Sequence, residues 1–130
     1  MTAFNLPRTG LKSLAFDGEL LAHVSGHSAK NPRWHEVSLY RTQEGVYVAH
    51  VAFRCNSEYD TGRDDVCISH KQEVIIEFLN KHQPTRFVRG WPGEKHKTQD
   101  VRLREKLTQA YQTLVSQALS ATSELSEKIS

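Results

Sequence analysis

The chain has 130 residues, enough for one domain of ordinary size and too few for two. Hydrophobic residues make up 38%, charged residues 25% and aromatic residues 8%, the balance of a water-exposed fold with one core. No apolar run approaches the ~18 residues of a membrane span, and no basic start followed by an apolar stretch marks a secretory signal, so a cytoplasmic protein without a membrane contact is expected.

The formal charge of +2 hides an asymmetry. Residues 1–80 hold 8 basic and 10 acidic side chains, residues 81–106 hold 8 and 3, and residues 107–130 hold 1 and 2. The positive excess is confined to about one fifth of the chain, and a local field of that kind bears on association with anions.

Residues 1–10, with Pro7 and Gly10 among few apolar side chains, read as a loosely held arm, and residues 11–130 as a single α+β domain. Leu11 to Phe16 reads as a strand, Asp17-Gly18 as a tight turn, and Leu20 to Ser25 as a second strand. Gly26 to Arg33 is rich in turn formers. The clearest hairpin pairs Trp34–Arg41 with Val46–Cys55 across Thr42-Gln43-Glu44-Gly45. On its second strand Tyr47, Ala49, Val51, Phe53 and Cys55 share one apolar face, the expected core side. Asn56 to Arg63 reads as a polar loop and Asp64 to Ile68 as a short last strand.

Ser69 and Gln72 have the spacing of a capping box, followed by Val74, Ile75, Phe78 and Leu79 at helical spacing up to Pro84. Thr85 to Lys97 reads as an ordered connection, and Thr98 as the cap of a second helix. That helix carries an apolar stripe of Val101, Leu107, Ala110, Tyr111, Leu114, Val115, Ala118 and Ala121, with Leu125 and Ile129 as an extension. The expected architecture is a four- to five-stranded antiparallel sheet followed by two helices packed on one face, leaving the other face for solvent or a partner.

Phe16-x-Gly18-x-Leu20-Leu21-Ala22 followed by Trp34-x-Glu36-x-x-Leu39-Tyr40-Arg41-Thr42-x-x-Gly45-x-Tyr47-Val48-x-His50 resembles small bacterial proteins of the EXLDI type. The resemblance lies in the sheet half of the chain. The acidic C-terminal motif that names that family is absent from Ser126-Glu127-Lys128-Ile129-Ser130. It implies a bacterial accessory protein and transfers no site residue.

The candidate site is the basic segment: Arg86, Arg89, Lys95, Lys97, Arg102 and Arg104, with Trp91 interleaved. A helix N-terminus carries partial positive charge and favours acidic neighbours. Cations gathered there are repelled until an anion docks, and Trp91 could stack on a base. The alternative is an ordinary solvated face in which Glu105 pairs with its neighbours.

Cys55 and Cys67, near the ends of consecutive strands, could lie close together, but they form no CxxC motif. His35 and His50 lie on the hairpin and could share a side. Glu58, Asp60, Asp64 and Asp65 form an acidic loop without Ca²⁺-loop spacing. No phosphate-binding glycine loop, nucleophile elbow or cofactor fingerprint occurs, so no cofactor and no metal is assigned.

The favoured reading is a non-enzymatic binding module that contacts DNA, RNA or an acidic protein surface through residues 81–106. A metal-dependent hydrolase or nuclease using the histidines and the Asp60–Asp65 loop is the alternative, and a scaffold acting as a homo-oligomer is a third option.

Overall fold

The computed structural model describes residues 1–56, 61–86, 88 and 97–122, with side chains from Val101 onward in the last stretch. Among these, five strands precede two helices: β1 (Thr2–Arg8), β2 (Leu11–Ser25), β3 (Arg33–Thr42), β4 (Tyr47–Cys55), β5 (Arg63–Ser69), α1 (Gln72–Lys81) and α2 (Lys97–Ser120). The strands form one sheet in chain order, each antiparallel to the next. This is the expected α+β class, with α1 against β4 and β5 and α2 against β2 and β3.

The N-terminal residues are not a loose arm. Thr2 to Leu6 pairs with Leu14 to Gly18, and Leu6 is buried. Leu6 lies opposite Leu14 and Phe4 opposite Phe16, so this edge strand is held by apolar pairs as well as by its ladder. The turn that makes the pairing falls at Thr9-Gly10, where Gly10 has φ +79°, a left-handed conformation that glycine adopts without steric cost.

Asp17-Gly18 is not a turn either, because β2 runs through it. Gly18 lies between Thr2 and Thr42 of the flanking strands, and a Cβ there would collide with the Arg41 carbonyl oxygen. Glycine is needed at this position for close backbone approach rather than for a reversal. The irregularity in β2 comes two residues later, where the register shifts between Leu20 and Ala22; a bulge there increases the local twist.

The β3–β4 hairpin matches its sequence pattern. Gly45 closes the turn with φ +83°, and the Thr42 hydroxyl accepts the Val46 amide at 3.0 Å. The Ser69 hydroxyl accepts from the Lys71 amide at 3.0 Å, so it shapes the strand–helix corner and does not form a capping box with Gln72. Helix α2 begins at Lys97, one residue before the expected Thr98 cap. Positions 125 and 129 lie outside the described residues.

One face of the sheet, with Ala22, Val37, Leu39, Ala49 and Val51, packs against Ile75, Leu79, Tyr111, Leu114, Val115 and Ala118 of the helices. The opposite face is not simply left to solvent. The sheet curls until the Thr9 amide donates to the Asp64 carbonyl at 2.9 Å, joining the β1–β2 turn to β5. The curl encloses a second cluster of Leu6, Tyr40 and Val48 with Phe4, Leu14, Phe16 and Val66, to which all five strands contribute. The Phe4, Phe16 and Tyr40 ring centroids lie 4.8–5.5 Å apart, within the range of favourable aromatic pairing.

Candidate functional site

A groove of about 520 Å³ lies between the end of α1, residues 82–86 and α2. Lys81 and Arg86 contribute its cationic side, while His82, whose pKa burial lowers, joins Gln83, Gln112 and Ser116 as neutral polar groups. No carboxylate lines it among the described residues. The chain is brought here by local chemistry. The last turn of α1 exposes carbonyls, one of which, Leu79, accepts the buried Tyr111 hydroxyl of α2 at 2.7 Å. Lys81 stands where the helix dipole favours a cation and pairs with Glu77 one turn earlier.

The predicted basic residues separate into groups. Arg86 is exposed on the groove wall and Arg102 is exposed on the first half of α2. Arg104 is half-buried, and its guanidinium donates to the Thr85 carbonyl at 3.0 Å and to the Val88 carbonyl at 2.8 Å. It is a clamp that satisfies a turn's carbonyls, a role that spacing alone does not reveal. Arg89, Trp91 and Lys95 lie outside the described residues, as does the side chain of Lys97.

The helix-free face carries a polar network beside its apolar cluster. His50 is buried on β4, and its Nε2 lies 2.8 Å from Asp64 Oδ1. Arg54 donates to both oxygens of the same carboxylate, at 2.7 and 3.2 Å. Burial works against the Asp64 charge, but hydrogen bonds from Arg54 and His50, together with their charges, hold its carboxyl below the ordinary range. On the neighbouring strands, His23 Nδ1 and Ser38 Oγ share a 2.7 Å hydrogen bond, and Trp34 Nε1 donates to Glu36 at 3.3 Å. Ser38 is buried within β3 with its backbone in the ladder, which leaves no turn of free amides beside it to stabilise an oxyanion.

Strand parity separates the residues that the hydrolase reading needs together. His35 lies opposite Phe53 and His50 opposite Ser38, so the two histidines point to opposite faces. Asp64 and Asp65 are adjacent on β5 and likewise diverge, Asp64 to His50 and Arg54, Asp65 to Arg63 at 3.1 Å. Asp60 and Glu58 lie outside the described residues. Among the described residues no three His, Cys, Asp or Glu side chains converge as a metal site. Cys67 lies opposite Ala49, six residues along β4 from Cys55, so the two cysteines, not joined by a disulfide, are about 20 Å apart along the sheet and not neighbours.

Sequence reasoning singled out His35 only as a possible same-side partner of His50 and missed its burial. It is 2% exposed, surrounded by the rings of Phe53, Tyr111 and His82 at centroid distances of 5.2, 5.2 and 6.2 Å. Its polar contact is with the Pro84 backbone. Burial, reinforced by the nearby His82, lowers its pKa to about 4 against a weak opposing pull from the Pro84 carbonyl, so the ring is neutral near neutrality. The signal was its alternation with Val37 and Leu39, which puts a polar ring on the core face.

No family model, curated protein or solved structure matches this chain.

Proposed function

We propose that the protein is a non-enzymatic binding module that holds single-stranded nucleic acid along the groove between α1 and α2 and the basic segment that follows it. The observation that supports this most strongly is the groove's composition: Lys81 and Arg86 on its walls, with imidazole, amide and hydroxyl side chains and no carboxylate among the described residues. Phosphate backbones are bound by such cations with polar side chains and amides beside them. Arg89, Lys95 and Lys97 continue the positive charge along the chain, and Trp91 supplies an aromatic ring of the kind on which an unpaired base stacks.

The roles within the segment are unequal. Arg86 and Arg102, exposed, make phosphate contacts, and Lys97 extends them. Arg104 holds the Thr85–Val88 turn that forms the groove wall and acts as a positioning residue.

Fluorescence anisotropy with labelled single-stranded DNA and RNA tests this reading. Binding is expected to weaken steeply with salt and to fall in Arg86→Glu, Lys97→Glu and Arg102→Glu variants that keep the native circular dichroism spectrum. Absence of binding at low ionic strength overturns the nucleic-acid reading. Binding of acidic peptides in its place would identify a protein partner.

A further inference from the structure

His82 stands where the groove meets the core. It caps the C-terminal end of α1, its amide donating to the Phe78 carbonyl at 3.1 Å. Its half-buried ring lies on the groove wall. Behind it stand the Tyr111, His35 and Phe78 rings, at centroid distances of 5.3, 6.2 and 6.3 Å. Every element packed around it adds a titratable or charged group: Lys81 from α1, His35 from β3, Arg63 and Asp65 from β5, Tyr111 from α2 and Arg86 from the connection. Burial holds the ring below its ordinary pKa, the Asp65 carboxylate pulls it up, and Arg63 opposes that pull. Asp65 is paired with Arg63 and does not line the groove. The groove side holds no carboxylate among the described residues, so an anion that favours the charged ring from that side has to arrive with a ligand. The carbonyls at a helix C-terminus favour a cation at this position. Lys81 beside it shares its charge with Glu77, so one proton on His82 is a large change in the field of the wall.

We propose that His82 is a proton-controlled contact of the groove, neutral near neutrality and charged against a backbone phosphate in mild acid. This rests on the groove being the nucleic-acid site proposed above and adds how that site is regulated. A phosphate against the wall favours the charged ring and raises its pKa from the lowered value of the free protein, so binding takes up a proton. Affinity therefore rises as pH falls through the pKa of the bound state. It levels off once the ring is charged in the free protein as well. His35, behind it, keeps its neutral form down to about pH 4 and adds no charge of its own in mild acid.

The test is fluorescence anisotropy of the full chain with labelled oligothymidylate, whose bases stay uncharged in mild acid, at fixed ionic strength from about pH 8 to about pH 5.5. Binding by the natural chain is expected to tighten roughly three- to tenfold across this range. The slope of log affinity against log salt is expected to steepen by about 0.7 at the acid end, the share of one added phosphate contact on a single strand. His82→Gln, which keeps a polar side chain but takes no proton, is expected to match the natural chain at the alkaline end and to lose most of the gain in acid. His96→Gln, in the same basic segment, and His70→Gln, exposed after β5, are expected to keep it. Ring NMR of the natural chain needs no substitution: the His82 pKa is expected to rise when oligothymidylate is added. Binding that does not tighten in acid, tightening that His82→Gln retains, or a His82 pKa unmoved by the DNA overturns the proposal and leaves the groove reading in place. Absence of binding at every pH overturns both.

Discussion

His35 and His50 are both buried side chains of the central hairpin, yet they differ in what surrounds them. His35 faces the helices, among aromatic rings, with the Pro84 backbone as its polar contact. His50 faces the curl and shares Asp64 with Arg54. Strand alternation sends residues of one hairpin to two unlike interiors: an apolar core with one imidazole ring, and a cluster that is apolar at one end and ion-paired at the other. Burial by itself therefore does not predict how a polar group behaves here. Its partners do.

Truncation of the helix-covered core gives the largest expected effect. Leu39 is fully buried among residues of both helices, and Leu39→Ala should lose about 2–5 kcal/mol in urea unfolding.

Acid separates the two interiors next. His35 has its pKa lowered from 6.5 to about 4 by folding, so the unfolded chain binds more protons between these values. Its stabilising share is complete above pH 6.5 and is lost as pH falls towards 4, a change of about 3 kcal/mol at ~1.4 kcal/mol per unit. His82, also lowered by burial, acts in the same direction. Asp64 is lowered from 3.8, so its contribution is present above that value and is lost only below it. Unfolding free energies across this range should therefore fall in two stages, and His35→Phe should flatten the first while leaving the second.

Asp64→Asn should cost about 1–3 kcal/mol, because it leaves the largely buried His50 and the Arg54 guanidinium without their shared acceptor charge. Glu19→Gln removes the exposed pair with Arg41 and should change stability by no more than about 0.5 kcal/mol. Equal effects for these two substitutions would contradict the distinction between a buried network and a surface pair.

Much of this fold can be read from alternation alone. The Trp34–Arg41 and Val46–Cys55 pattern identifies the hairpin, its Gly45 turn and its helix-covered face. The first strands are harder to read because Asp17-Gly18 has the same residue types as a turn, and only the neighbouring Arg41 carbonyl shows that glycine serves a close approach. The N-terminal strand is concealed by its polar composition, since Leu6 gains its burial from partners far along the chain. Of the candidate site, the charge excess is visible in the sequence. The division between exposed Arg86 and Arg102 and the carbonyl-bound Arg104 depends on how α2 docks against residues 85–88, and local pattern carries no trace of it.

The salt dependence of single-stranded DNA binding is the most direct test of the groove as a polyanion site. A plot of log affinity against log salt should have a negative slope in the natural chain, shallower by roughly one unit for each of Arg86→Glu and Arg102→Glu. A flat line, or the same slope in all three proteins, would contradict it.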